Sequence, residues 1–301
     1  MSEDDPLTGR FEAHRGELRA VAYRMLGSPG EAEDAVQETW LRLHRADTGD
    51  VVNLAGWLRT VLSRVCLDML RARAARREQV VDQLPDRARD DGDGPEGEAV
   101  LVDSVGRALL VVLDRLEPAE RVAFVLHDMF AVPFAQIAPI VGRTPVTTKK
   151  LASRARHRVR GGPAGPGADL ARHRSVVEAF LTAARGGDLE ALLGLLAPDV
   201  VRRADPLALP PGVATESRGA RVVAEEVTVL GRRSRFAEPA LVDGALGVLV
   251  APRGRLLLAL TFEVVDDRIT RYEVIADPDR LRRLDLSVLD DPVVGHSVAS
   301  R

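Results

Sequence analysis

Lys149 and Lys150 stand side by side in "TPVTTKKLASRARHRVR", residues 144–160, and they are the only lysines among 42 basic residues. The other 40 are arginine. An ammonium group is a compact point charge that reaches phosphates and base acceptors without the planar fork of a guanidinium. Arg154, Arg156, Arg158 and Arg160 follow the pair, so the stretch concentrates cations suited to a polyanion. Projected at about 100° per residue, Thr148, Leu151, Ala152, Ala155 and Val159 share one face. Lys149, Lys150, Ser153, His157 and Arg160 fall opposite, with Arg154 and Arg156 at the edges. A narrow apolar seam under a basic outer face predicts a helix that docks on a neighbour and still presents charge to nucleic acid.

The elements around that helix fit this role. "PFAQIAPIV" opens with proline, Gly142 interrupts it, and Thr144-Pro145 can cap and start the next helix, which predicts a helix-turn-helix over 133–160. Pro139 lies inside the first of these helices and removes a bond to the carbonyl of Ala135, so a kink or a shortened helix is expected there. Charge is distributed in blocks although the net charge is only −3. Residues 104–161 carry ten basic residues against four acids, and residues 79–103 carry eight acids against two arginines. This pairs a polyanion-binding segment with an acidic connector, "QVVDQLPDRARDDGDGPEGEAVLVD", that has little to bury.

Other chemistries are poorly represented. The six histidines, His14, His44, His127, His157, His173 and His296, lack ligand spacing, and no phosphate-binding glycine fingerprint occurs; neither metal nor cofactor is expected. Cys66 sits between Val65 and Leu67 and reads as a buried structural thiol, and a single cysteine suits a reducing compartment. No apolar run approaches the roughly 18 residues of a membrane span, and "MSEDDPLTGR" lacks a signal-like apolar stretch. A cytoplasmic chain without a membrane partner is the expectation.

Residues 10–78 read as helices. In "SPGEAEDAVQETWLRLHR", Ser28 can cap and Pro29 suits the first turn, and Ala32, Ala35, Val36, Thr39 and Leu43 form a stripe at helical spacing. The next helix is expected to turn Trp57, Val61, Val65 and Leu67 inward. After "GGPAGPGAD" at 161–169 the period changes. Two short helices closed by Pro198 precede strands in "SRFAEPALV", "ALGVLVAP", "RLLLALTFEVV" and "RITRYEVIA". Asp243-Gly244, Arg253-Gly254 and Asp266-Asp267 separate them, as antiparallel hairpins require. The third region is therefore α+β.

Three ordered stretches, "AEDAVQETWLRLHR", "NLAGWLRTVLSRVCLDMLRARAARRE" and "LDRLEPAERVAFVLHDMFAVPFAQIAPIVGRTP…LASRARHRVR", together resemble an extracytoplasmic-function sigma factor over residues 10–161. "FLTAARGGDLEALLGLLAPDVVRRAD" and "LTFEVVDDRITRYEVIADPDRL" resemble the SnoaL-like extension of one subgroup, which implies a cone-shaped fold shared with ketosteroid isomerases. The resemblance implies two all-α sigma domains and one α+β domain. These are region 2 over 10–78, an acidic linker over 79–103, region 4 over 104–161, a SnoaL-like domain over 170–285 and a tail over 286–301. It further implies that Asp34, Gln37, Glu38 and Arg42 meet core RNA polymerase. Arg59, Arg64, Asp68 and Asn53 would meet the −10 element, and Lys149, Lys150, Ser153, Arg154, Arg143 and Thr144 the −35 element. The subgroup's Trp-Leu-Pro-Glu-Pro linker motif is reduced here to Leu84-Pro85-Asp86, and its glycine-rich loop with a lysine is replaced after Asp205 by "PLALPPGVATES".

Promoter-directed transcription initiation, with the C-terminal domain regulating in cis, is the function this implies; it needs no catalytic residue. The alternative makes the C-terminal domain a cyclase- or isomerase-type enzyme or a small-ligand sensor. Asp199, Asp205, Glu263 and Glu273 are then the acids available to a pocket, and the discriminator is a pocket holding a buried acid beside a second donor.

Overall fold

A computed structural model describes residues 6–46, 53–79, 106–161 and 167–289. The acidic linker, apart from Gln79, and most of the C-terminal tail lie outside the described residues. The chain forms two compact units. The first takes residues 1–105 and 113–156, and the second takes 106–112 and 157–301.

The first unit begins with α1 (Pro6–Leu26), α2 (Pro29–Arg45) and α3 (Leu54–Gln79). Ser28 caps α2 through its hydroxyl, which accepts from the Glu31 amide at 3.4 Å, and Pro29 occupies the first turn as expected. The buried residues of α2 are Ala32, Ala35, Val36, Thr39 and Leu43, the predicted stripe. On α3 the inward face differs from the expectation. Leu58, Leu62, Val65, Cys66 and Leu67 are buried, while Trp57 and Val61 are only half-buried. Apolar residues occur in adjacent pairs along α3, as Trp57-Leu58 and Val61-Leu62, so periodicity alone leaves the face ambiguous by about one residue. Burial pushes the Cys66 thiol up to about 12, in keeping with an inert core group.

Three further helices continue this unit: α4 (Arg107–Asp114), whose first turns belong to the second unit, α5 (Pro118–Phe124) and α6 (Phe134–Val141). A π turn over Val125–Met129 extends α5 and leads to Ala131, which adopts a positive φ of 52°. Gly142 terminates α6 in the left-handed conformation, and α7 (Pro145–Arg160) follows. Pro139 does not shorten α6, which runs unbroken to Val141. The proline and Ala135 are both exposed, so the carbonyl left without its helical donor can be hydrated. Arg121 is 2% exposed and pairs with Asp114 at 3.3 Å; Asp114 also meets Arg73 at 3.5 Å, and Arg73 pairs with Glu31.

In the second unit, α8 (Gly167–Gly186) and α9 (Leu189–Leu195) precede a seven-stranded sheet. Its strands are β1 (Leu196–Ala204), β2 (Glu216–Arg218), β3 (Ala237–Val242), β4 (Ala245–Val250), β5 (Leu258–Val265), β6 (Arg268–Ile275) and β7 (Leu286–Ser287). The order is β2-β1-β6-β5-β4-β3-β7, antiparallel except for the β1–β6 pair. Helix α10 (Ala220–Leu230) lies between β2 and β3 in sequence, and α11 (Pro278–Arg283) follows β6. The hairpin breaks at Asp243-Gly244 and Asp266-Asp267 are two-residue loops, and both residues of each have positive φ, as the right-handed sheet twist favours. The helical stretch ends at Leu195, before Pro198, because β1 begins at Leu196; Pro198 sits where the β1–β6 register shifts. The sheet also runs past residue 285, with Leu286 and Ser287 paired to β3.

Candidate nucleic-acid interface

Helix α7 is held by its seam. Thr148, Ala152, Ala155 and Val159 are buried and Leu151 is half-buried, which matches the projected apolar face. The helix is started by Thr144, whose hydroxyl accepts from the Thr147 amide at 3.2 Å and whose carbonyl accepts from the Thr148 hydroxyl at 2.9 Å. Arg156 is drawn off the outer face by Asp128, 2.6 Å away, and so ties α7 to the π turn. Lys149, Lys150, Ser153, Arg154, His157, Arg158 and Arg160 are exposed, as are Arg143 and Thr144 at the head of the helix. The first four of these form one contiguous outward surface over about one and a half turns. It bears three cations and a hydroxyl, a set able to reach phosphates and base edges together.

The second candidate surface lies on α2. Asp34 and Gln37 are exposed, and Glu38 pairs with Arg42 at 2.8 Å one turn on. Leu41 is 41% exposed within this acidic and amide-rich face. Spacing alone does not single it out, because the apolar stripe of α2 is complete without it; an apolar residue outside the stripe is the signal the sequence carries.

The third set, on and before α3, is not gathered on one face. Arg64 and Asp68 are exposed and Arg71 lies beside Asp68 at 3.7 Å, but at 100° per residue Arg59 stands about 140° from Arg64. Arg59 is bound to Glu17 of α1 at 2.6 Å. The Asn53 side-chain oxygen accepts from the Gly56 amide at 2.9 Å, so Asn53 caps α3 and its amide nitrogen stays exposed for other contacts.

Two family descriptions match the chain, "Sigma-70 region 2" over residues 10–76 and "Sigma-70, region 4" over 106–159. The "Probable ECF RNA polymerase sigma factor SigI" of Mycobacterium tuberculosis is 37% identical over 290 residues, covering 93% of this chain and 97% of that one. The chain belongs to the extracytoplasmic-function family of RNA polymerase sigma factors. A second relative of this sigma factor, the "ECF RNA polymerase sigma factor SigJ" of the same organism, is 38% identical over 293 residues, covering 90% of this chain and 91% of the relative. The crystal structure of M. tuberculosis SigJ aligns with 91% of this chain and 98% of its own at 33% identity, with a TM-score of 0.45.

The C-terminal α+β domain of this sigma factor has an aromatic core beside a cavity of about 360 Å³ lined by His173, Phe262 and Glu263, and a second of about 310 Å³ is lined by Asp205, Glu216 and Glu273. Phe180, Phe262 and Tyr272 pack ring to ring, with centroids 5.6–5.9 Å apart, and Phe180 and Tyr272 are buried. Beside them Arg202, 2% exposed, donates to Glu226, Ser217 and the Ala214 carbonyl at 2.8–2.9 Å, and Ser217 donates to Glu226 at 2.6 Å. Glu226 is an acid beside a second donor, but its oxygens are taken by Arg202 and Ser217, and the arrangement reads as a core staple.

The acids named in sequence are engaged or exposed. Asp205 accepts from the amides of Ala276 and Asp277 at 3.0 Å and from Arg280 at 2.5 Å. Burial alone would raise its pKa, but these bonds outweigh it and hold the carboxyl below the usual aspartate range. A group so held is a poor general base. Glu273 pairs with Arg280 at 2.6 Å, Glu263 with Arg271 at 3.5 Å, and Asp199 is exposed. The function of this family is to direct RNA polymerase, not to catalyse a reaction. Among the described residues no helix is long and apolar enough to cross a membrane.

Proposed function

We propose that this sigma factor binds core RNA polymerase through α2, with Asp34, Gln37, Glu38 and Arg42, and reads the −35 element through Lys149, Lys150, Ser153 and Arg154, assisted by Arg143 and Thr144. Arg64, Asp68, Arg59 and Asn53 serve the −10 element, and the acidic linker joins the two modules over 79–103. The C-terminal domain regulates this activity in cis. One observation carries the reading: α7 exposes Lys149, Lys150 and Arg154, none with an acidic partner among the described residues, opposite a buried seam in a helix-turn-helix.

Transcription reconstituted with core polymerase on a genomic library tests it. Lys149→Ala with Lys150→Ala abolishes promoter-selective starts and leaves polymerase binding unchanged. Asp34→Ala with Glu38→Ala weakens polymerase binding first. Selective initiation that survives both pairs of changes overturns these roles.

A further inference from the structure

The last strands of the C-terminal sheet do more than close it. Helix α4 begins at Arg107, and the first amides of an α-helix need acceptors from outside its own hydrogen-bond ladder. The Glu238 carboxylate, on β3, accepts from the Arg107 amide and from the Ala108 amide, the latter at 3.0 Å. Its negative charge also suits the positive end of a helix. Arg107 places its guanidinium over the Phe236 ring, 5.9 Å from the centroid. At the other end of the 106–161 segment, the Gly161 amide donates to the His157 carbonyl at 2.9 Å, and the Val288 amide donates to the Val159 carbonyl at 2.8 Å. Val288 directly follows β7, which pairs with β3, so both caps come from neighbouring strands at one sheet edge.

Two glycines permit this approach. Gly106 has φ +74°, and a Cβ there would stand 2.9 Å from Glu238 Oε1; Gly161 has φ +71°, and a Cβ there would collide with the Ser287 hydroxyl. Each flanks the segment, and each leaves room for a different capping group.

We infer that the β3–β7 edge is a two-point capping surface for the DNA-reading segment, one that supplies an acceptor to the start of α4 and a donor to the end of α7. None of these contacts uses a residue of the proposed reading face; Lys150 lies about 13 Å along α7 from Val159 at the helical rise. The edge thus holds the 106–161 segment at its two ends, the start of α4 and the end of the reading helix. This rests on the reading that the C-terminal domain acts in cis, and it gives that action a direction: the hold supports DNA binding.

The test uses full-length variants, backbone amide exchange, and binding to a duplex selected on the unaltered chain from a random pool. Glu238→Ala raises exchange at Arg107 and Ala108 about tenfold, as loss of a helix cap does, and weakens duplex binding several-fold; Glu238→Gln falls between. Val288→Pro deletes the other donor and raises exchange in the last turn of α7, again with weaker duplex binding. Unchanged exchange in Glu238→Ala overturns the capping, and altered exchange with unchanged duplex affinity in both variants overturns the brace. Reconstituted transcription separates the two readings. Altered output at unchanged duplex affinity sinks the brace and keeps regulation in cis, whereas unaltered output from both variants, with duplex binding lost, sinks regulation in cis.

Discussion

The buried arginines and the outer face of α7 use the same charge in opposite ways. Arg121 in the first unit and Arg202 in the second are each 2% exposed, and each meets an acid: Asp114 at 3.3 Å and Glu226 at 2.8 Å. On α7, Lys149, Lys150 and Arg154 stand in solvent without such partners among the described residues, and Arg156, the cation nearest the seam, is claimed by Asp128. A cation enclosed by acceptors has nothing left to offer a ligand, and removing its partner leaves a charge uncompensated. A solvated cation loses little water and releases counterions when it meets a phosphate. Composition counts all 42 basic residues alike; environment sorts them into those that hold the fold and those that can bind.

The largest break in this comparison is Arg202→Met. It leaves Ser217 and the half-buried Glu226 without their cation, and the cost is about 2–3 kcal/mol, measured by chemical denaturation. Arg202→Met with Glu226→Leu recovers much of that loss because no charge is left stranded. A double variant as unstable as the single one places the energy in shape rather than charge. Lys149→Ala with Lys150→Ala is the complementary case. Stability changes by no more than about 0.5 kcal/mol, while the slope of log affinity against log salt falls by about 0.9 for each lysine that contacts a phosphate. An unchanged slope with lost sequence preference puts the ammonium groups on base edges instead.

Legibility in the sequence follows from how local each cause is. The α2 stripe and both faces of α7 were readable because helical spacing and burial are set within a few turns. So were the two-residue hairpin loops, where Asp and Gly are among the residues that tolerate the positive φ a tight turn requires. The face of α3 is blurred by consecutive apolar pairs, and Pro139 does not shorten its helix because tertiary context places the orphaned carbonyl in solvent. Strand β1 was hidden for a further reason: its parallel partner β6 lies about 70 residues on, and its buried Arg202 looks in sequence like any surface arginine. A longer separation, 131 residues between Glu238 and Arg107, concealed the Glu238 cap on α4. For the proposed site, the exposure of the α7 residues is legible from helical spacing, whereas the capping role of Asn53 and the Arg59–Glu17 pair depend on neighbours that spacing does not reveal.

Asp205 sharpens the comparison from the acid side. Its folded pKa lies below the ordinary value, so the stability it contributes is present above the unfolded pKa of about 3.9 and is lost as pH falls through the folded one. The urea midpoint of the second unit should therefore decline below about pH 4, and Asp205→Asn should flatten that decline while lowering the midpoint at neutral pH. An identical acid limb in the variant assigns the loss to other carboxylates.

The smallest effect concerns the β5–β6 turn. Asp266 and Asp267 adopt φ of 50° and 60°, where an L-residue pays steric strain, whereas the matching β3–β4 turn places Gly244 at its second position. Asp267→Gly relieves strain of about 1–2 kcal/mol, offset in part by the extra freedom of glycine in the unfolded chain. It also gives up an exposed pair with Arg172 at 3.6 Å that contributes between about 0 and 1 kcal/mol. The balance is a gain of about 0.5 kcal/mol in chemical denaturation, and Gly244→Asp costs a similar or larger amount. If Asp267→Gly destabilises, the Arg172 pair outweighs the turn, and even an exposed aspartate in this domain belongs with the charges that hold the fold.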